Sequence, residues 1–148
     1  MSDTYTVRRA TMDDVKGIHA LLMENARKGL LLPRALIFLY GHVRNFLVID
    51  DPRGGLAACC ALAPVWEDLA EVCSLAVRED LRKQGLGRKI VMARVKKVFS
   101  LTYQAAFFER IGFHEVDKGV LPQKIWADCV HCAKYPDCDE TAMFLELD

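Results

Sequence analysis

No stretch of this sequence is apolar over the roughly 20 residues that a helix needs to cross a membrane. The opening "MSDTYTVRRA" also lacks the apolar core of a signal peptide. Neither charge is in excess: 20 Lys and Arg stand against 20 Asp and Glu. A general nucleic-acid binder is normally basic, so that class is set aside. There is no internal repeat and no low-complexity linker. These absences leave a soluble, cytoplasmic protein that needs neither membrane nor nucleic acid as a partner. What is present is apolar, since 52% of the 148 residues are hydrophobic. A chain of this length buries about two-thirds of its unfolded surface and forms one domain. In a cytoplasmic chain the six cysteines are expected as reduced thiols or metal ligands rather than disulfides.

The stretch "YTVRRA" alternates and reads as a first strand. In "TMDDVKGIHALLMENA", Val15, Ile18, Leu21 and Leu22 recur at helical spacing. Thr11 with Asp14 three residues on resembles a capping box. "GLLLPR" breaks that helix, and Pro33 leads into a second, "RALIFLYGHV". A hairpin follows, with strands Phe46–Ile49 and Leu56–Ala63 around a turn at Asp51–Gly55. Leu69–Val77 is a further strand, and a helix starts at about Leu86. "KKVFSLT" is a strand, and "QAAFFERIGF" is a short helix with Gly112 as its C-cap. "FHEVDKG" and "ETAMFLEL" are the last strands, and between them an irregular, cysteine-bearing insertion occupies about 119–139. The order β-α-α-β-β-β-α-β-α-β-β predicts a mixed α/β (α+β) domain over residues 1–148. Only ten residues, Arg88 to Lys97, separate Gly87 from Val98, the lower limit for a crossover, so either the helix ends near Ala93 or residues are absent from the sequence near Ala93–Lys96.

One stretch asks for more than a structural reading. "LRKQGLGRK", Leu81–Lys89, sets two glycines among four cations, after a strand and before a helix. Free N–H groups and the helix dipole make an anion site at such a start. Gly85 and Gly87 let backbone come close to a phosphate, and Arg82, Lys83, Arg88 and Lys89 add positive charge. No Gly-Lys-Ser/Thr follows, which excludes a Walker loop, and Ile90 stands where a dinucleotide fingerprint has its third glycine. A solvated basic turn is the plainer reading of the loop alone.

In context, "SLAVREDLRKQGLGRKIV" resembles the acetyl-CoA motif of the GNAT N-acetyltransferase superfamily. There a strand ending Leu-x-Val leads into Arg/Gln-x-x-Gly-x-Gly/Ala, here Arg82, Gly85 and Gly87. "FFERIGF" and "ETAMFLEL" are similar to the later helix and closing strand of that family, so the resemblance spans nearly the whole chain in order. It implies the GNAT acyl-CoA N-acyltransferase fold with acetyl-CoA as co-substrate. It also implies a cofactor site along Leu75, Ala76 and Val77, then Arg82, Lys83, Gln84, Gly85, Leu86, Gly87 and Arg88, whose loop N–H groups hold the CoA pyrophosphate. More narrowly, "KGLLLPRALIFLYGHVRNFLV", "WEDLAEVCSLAV", "VFSLTYQAAFFERIGF" and "VDKGVLPQKIWADC" resemble the acetyltransferase domain of short bacterial N-acetylglutamate synthases. That implies acetylation of an amino acid's α-amine, glutamate foremost, at the first step of arginine synthesis. Two alternatives stay open. One is an acetyltransferase for another small amine or a protein N-terminus; the other is a non-catalytic CoA-binding module with a structural metal knob.

Acetyl transfer to an amine asks for a base, an oxyanion donor and a proton for the departing thiolate. Glu71 is the candidate base: it lies in the strand before the loop and matches the family's strand glutamate. By alternation it faces with Cys73, Leu75 and Val77. An ordinary surface glutamate is the plain alternative. The family's oxyanion donor is a backbone N–H near Leu75. Many members carry a tyrosine just before the "ERIGF"-like tail; here that position is Phe108, which has no proton to give. Thr102 or Tyr103, at the end of "SLTY", is the expected replacement, unless the thiolate leaves unassisted, as a thiol pKa of about 8.5 permits.

Glutamate's two carboxylates call for fork-like cations. Arg34 matches a substrate-binding arginine of the synthases, and Lys124 in "LPQKIW" is a second candidate; either can equally be a surface cation. Cys129, Cys132 and Cys138, with His131 and Asp139 nearby, could hold zinc tetrahedrally. No second Cys-x-x-Cys pair supports them, so zinc is not favoured, and thiols packing a compact insertion fit as well. Cys59, Cys60 and Cys73 lie in strands as expected core residues. The partner expected is a small amino acid, with a homodimer left open.

Overall fold

A computed structural model gives the fold and describes residues 5–31, 33–67, 69–93, 97–121 and 139–146. Its elements come in the predicted order: β1 (Val7–Arg9), α1 (Val15–Arg27), α2 (Leu36–His42), β2 (Phe46–Asp50), β3 (Leu56–Trp66), β4 (Leu69–Val77), α3 (Leu86–Val91), β5 (Lys97–Thr102), α4 (Ala105–Arg110), β6 (His114–Glu115) and β7 (Thr141–Glu146). The seven strands form one mixed sheet in the order β1-β2-β3-β4-β5-β7-β6. The described residues gather in two compact units. The first lies within Met1–Ala63 and Val72–Arg94, the second within Pro64–Glu71 and Val95–Asp148.

In the first unit β1 lies antiparallel on β2, with Val7 opposite Ile49, and β2 lies antiparallel on β3, with Phe46 opposite Ala61. The Asp51 N–H donates to the Gly55 carbonyl at 2.9 Å and closes the hairpin turn. The start of α1 follows the sequence: the Asp14 carboxylate accepts the Thr11 N–H at 2.7 Å, the return bond of a capping box. The first residues, Met12–Asp14, wind as a 3-10 turn before the α-helix proper. The predicted stripe of Val15, Ile18, Leu21 and Leu22 is buried. It packs with Leu39 of α2 and with Phe46, Val48, Cys59 and Ala61 of the sheet. Each of the large side chains contributes about 1.5–3 kcal/mol by leaving water. Cys59 and Cys60 are fully buried, as expected, and Cys73 is half-buried beside the same core. Burial pushes the Cys59 thiol up to about 12 and Cys60 well above its ordinary value.

In the second unit β5 lies antiparallel on β7, from Lys97 opposite Glu146 to Thr102 opposite Thr141. The first residues of β4 run parallel to β5, with Leu69 opposite Lys97 and Glu71 opposite Phe99. Phe99, Leu121 and Ala142 form the centre of its core, with Val65, Leu69, Leu101, Val116 and Phe144 around them. Gly112 ends α4 as predicted, at φ +108°. Its N–H donates to the Glu109 carbonyl at 3.1 Å, and the Phe113 N–H donates to the Phe108 carbonyl at 2.9 Å. This pair of bonds is a Schellman closure, and the Phe108 and Phe113 rings pack edge to face across it at 4.9 Å. The predicted strand "FHEVDKG" shortens to His114–Glu115. The reason is local: the Asp117 carboxylate accepts the Gly119 N–H at 2.8 Å and starts a 3-10 turn instead. Among the described residues no helix is long and apolar enough to cross a membrane.

Candidate active site

The glycine loop belongs to the first unit. After β4 the chain turns through Glu79–Leu81, with Leu81 buried as an anchor, and reaches α3 at Leu86. Gly85 precedes the helix at φ +80°, where an L side chain is strained. A Cβ built on Gly85 would meet nothing within 4 Å, so the strain is of backbone alone and the space before the loop is open. Lys83 is also left-handed, at φ +66°. Left-handed residues inside a turn curve successive N–H groups into an anion-binding concavity. With six residues, α3 adds little macrodipole; its hold on the sheet comes from buried Leu86, Ile90 and Val91. A cleft of about 420 Å³ beside the loop is lined by Tyr5, Gln84, Gly85, Leu86, Arg88, Lys89 and Met92.

The four cations are not equivalent. Lys83 and Arg88 are exposed, and the Lys89 ammonium donates to the Tyr5 carbonyl. Arg82 turns inward: its Nη2 donates to Asn25 Oδ1 of α1 at 2.7 Å and its Nε to the Val77 carbonyl at 3.3 Å. A second inward network escaped the sequence reading. Buried Asp51, at the β2–β3 turn, accepts from Arg78 Nη2 at 2.6 Å and from Arg53 Nη2 at 3.1 Å. Arg78 also donates to Asp80 at 2.9 Å. Arg53 above all, with Arg78 beside it, holds the Asp51 carboxyl down at about 2. Thus the hairpin turn grips the residues that lead out of β4.

β4 itself departs from simple alternation. Ser74 stands at φ +51° inside the strand, and the Cys59 thiol donates to its carbonyl at 3.6 Å. Cys73 and Ala76, three apart, both pack on the α1 core. The kink therefore exchanges the two faces, and the expectation that Glu71 and Cys73 share a face with Leu75 and Val77 fails beyond Ser74. Leu75, Ala76 and Val77 are all buried.

The second unit holds the candidate acid–base groups. Glu71 is 8% exposed, so it is no surface glutamate. Thr102, at the end of β5, is buried, and its Oγ1 accepts the Gln104 N–H at 2.8 Å. Tyr103 is exposed, and its hydroxyl donates to Asp139 at 2.9 Å. Phe108 is buried in the α4 closure. On the first unit, Arg34 is exposed just ahead of α2, its guanidinium 4.7 Å above the Phe38 ring, which stacks in turn on His42 at 3.9 Å. Lys124, Cys129, Cys132 and Cys138 lie outside the described residues. Among the described residues no group of three His, Cys, Asp or Glu could hold a metal.

Residues 42–115 match the family model described as an acetyltransferase (GNAT) domain. An uncharacterized N-acetyltransferase of Chlorobaculum tepidum is 39% identical over an alignment of 149 positions that covers 95% of this chain and 96% of that one. The amino-acid acetyltransferase of Mycobacterium tuberculosis is 37% identical over an alignment of 121 positions that covers 75% of this chain and 69% of its own length. A solved M. tuberculosis structure in complex with CoA superposes with a TM-score of 0.76 at 30% identity, covering 97% of this chain and 99% of that one. N-acetylglutamate synthase from Neisseria gonorrhoeae, complexed with coenzyme A and N-acetyl-glutamate, superposes with a TM-score of 0.78 over 97% of this chain and 35% of that one. At 21% identity this last likeness is one of fold. Agreement in sequence and in fold over nearly whole chains follows from common descent, and this chain belongs to the GNAT acetyltransferases.

Proposed function

We propose that this acetyl-CoA-dependent N-acetyltransferase acts on the α-amine of an amino acid, glutamate foremost, and so serves arginine synthesis. The observation that carries the reading is the 37% identity, over three-quarters of the chain, to an amino-acid acetyltransferase. Glu71 takes the role of base, because it is a buried carboxylate at the family's glutamate position. It accepts one proton of the acceptor ammonium, directly or through a water. The freed amine attacks the thioester carbonyl, the C–S bond of the adduct breaks, and the second nitrogen proton is relayed through a hydroxyl to the departing CoA thiolate. Thr102 is the better proton donor of the two candidates. Its bond to Gln104 uses only a lone pair, whereas the Tyr103 proton is directed to Asp139. The loop around Gly85 holds the CoA pyrophosphate. Arg34 reads a carboxylate of the acceptor, its fork stiffened by the Phe38 ring.

The test is CoA release, followed with a thiol reagent, across glutamate, glutamine, other amino acids and polyamines. Glutamate is expected to give the highest kcat/KM. A polyamine or another amine without an α-carboxylate turned over faster than every amino acid would refute the reading.

A further inference from the structure

The apolar stripe of α1 runs Ile18, Leu22, and then Asn25, where helical spacing would favour another apolar residue. Asn25 is 4% exposed. A buried amide is unfavourable unless its polar atoms are matched. Asn25 Nδ2 donates to the Leu21 carbonyl at 3.0 Å, and Oδ1 accepts from Arg82 Nη2 at 2.7 Å. Arg82 is the first residue of the Arg-x-x-Gly-x-Gly run, 57 residues away in sequence. The same guanidinium reaches back to the Val77 carbonyl, so it bridges the end of β4 and the body of α1. A second tie joins the same parts: Lys28 meets Glu79 at 2.9 Å. Both its partners are well exposed, at 37% and 65%, and such pairs contribute little. The buried amide is the stronger anchor.

From this we infer that Asn25 is a positioning residue for CoA. It fixes Arg82 on the inner side of the loop, so that Arg82 shapes the loop while backbone N–H groups, Lys83 and Arg88 face the diphosphate. The inference rests on the proposed role of the loop as the CoA pyrophosphate site. Without the Asn25 contact the loop samples other shapes, and CoA affinity falls by the fraction of time the competent shape is lost.

The experiment measures CoA affinity by calorimetry, kcat, and the acceptor KM at saturating acetyl-CoA, in Asn25→Ala, Arg82→Ala, the double variant and Gly85→Ala. Loss of a hydrogen bond to a charged group is worth roughly 10- to 150-fold. Each single variant at positions 25 and 82 is expected to weaken CoA binding by about that factor. In Asn25→Ala, which touches neither substrate, the acceptor KM and kcat should stay within about twofold of the parent. The double variant should bind CoA no more weakly than the poorer single, because both remove one contact. Independent losses that multiply in the double variant would overturn the inference, since Arg82 would then touch the phosphate itself. So would a lower melting temperature with unchanged CoA affinity, which marks a merely structural contact. Should Asn25→Ala fail to fold, Asn25→Ser carries the same cycle. Gly85→Ala separates the two readings. If it leaves CoA affinity unchanged, the loop is not the site; if it weakens binding while the Asn25 variants do not, only the positioning role fails.

Discussion

Gly85→Ala separates the cost of a backbone shape from the cost of a blocked ligand. Gly85 stands at φ +80°, and a residue with a Cβ pays roughly 1–2 kcal/mol in the left-handed region. No further steric cost arises in the protein, because that Cβ would meet nothing within 4 Å. Each kcal/mol lowers the melting temperature of a domain this size by about 2–4 °C, so a fall of roughly 2–8 °C is expected. A domain with about 5–15 kcal/mol of stability remains almost wholly folded at 25 °C after such a loss. Binding should suffer far more. The Cβ enters open space, where on the proposed assignment a phosphate oxygen would come within about 2.9 Å of a backbone N–H. Each charge-assisted bond lost is worth about 1.5–3 kcal/mol, or roughly 10- to 150-fold in Kd. Calorimetry with CoA at 25 °C, beside a thermal melt, reads both quantities. A Kd within about twofold of the parent, with the melt lowered as stated, would refute the assignment of the loop. An unchanged melt would refute the strain argument.

Three other outcomes are expected. Glu71→Gln should retain CoA affinity but lower kcat by roughly 10²–10⁴. The deficit should shrink at high pH, where the acceptor is already free amine, and an unaltered pH–rate profile would remove Glu71 from the base's role. Asp51 has its carboxyl depressed in the fold from 3.8 to about 2, so its contribution to stability is complete above about 4 and is lost as pH falls toward 2. Urea midpoints should therefore separate wild type from Asp51→Asn at pH 7 and converge near pH 2; a gap that stays constant would contradict the pairing with Arg53 and Arg78. Arg34→Lys should raise the KM for glutamate by roughly 10- to 150-fold and leave CoA affinity unchanged, because an ammonium cannot grip a carboxylate with two bonds. Equal losses for glutamate and its amides would show that Arg34 reads no side-chain carboxylate.

Legibility differed by the range of the interaction. The ends of α1 and α4 were readable because their signals are local: Thr11 with Asp14, and Gly112 after "FFERI". The glycine loop was readable because two glycines sit among four cations within nine residues. The strand kink at Ser74 was not. Serine is an ordinary strand residue, and what meets its displaced carbonyl is the thiol of Cys59 on another strand. The roles of Arg82 and Arg78 were hidden for the same reason. Beside glycines Arg82 looks like a phosphate ligand, Arg78 carries no local signal, and only the fold shows that Asn25 and Asp51 draw these two inward. The shortened β6 was within reach, since an Asp two residues before a Gly is a local turn signal.

The two adjacent thiols of β3 make the first unit a recorder of its own fluctuations. Cys59 and Cys60 have no exposed surface, and burial holds both in the unreactive protonated form. An alkylating reagent can reach them only in the instants when the strands part. Their modification rate, resolved residue by residue by mass spectrometry, therefore counts openings of the native sheet. A ligand that binds only the closed form slows that count in proportion to its occupancy. Affinity for acetyl-CoA, whose own sulfur is acylated and escapes the reagent, can then be read from the ageing of two buried sulfur atoms.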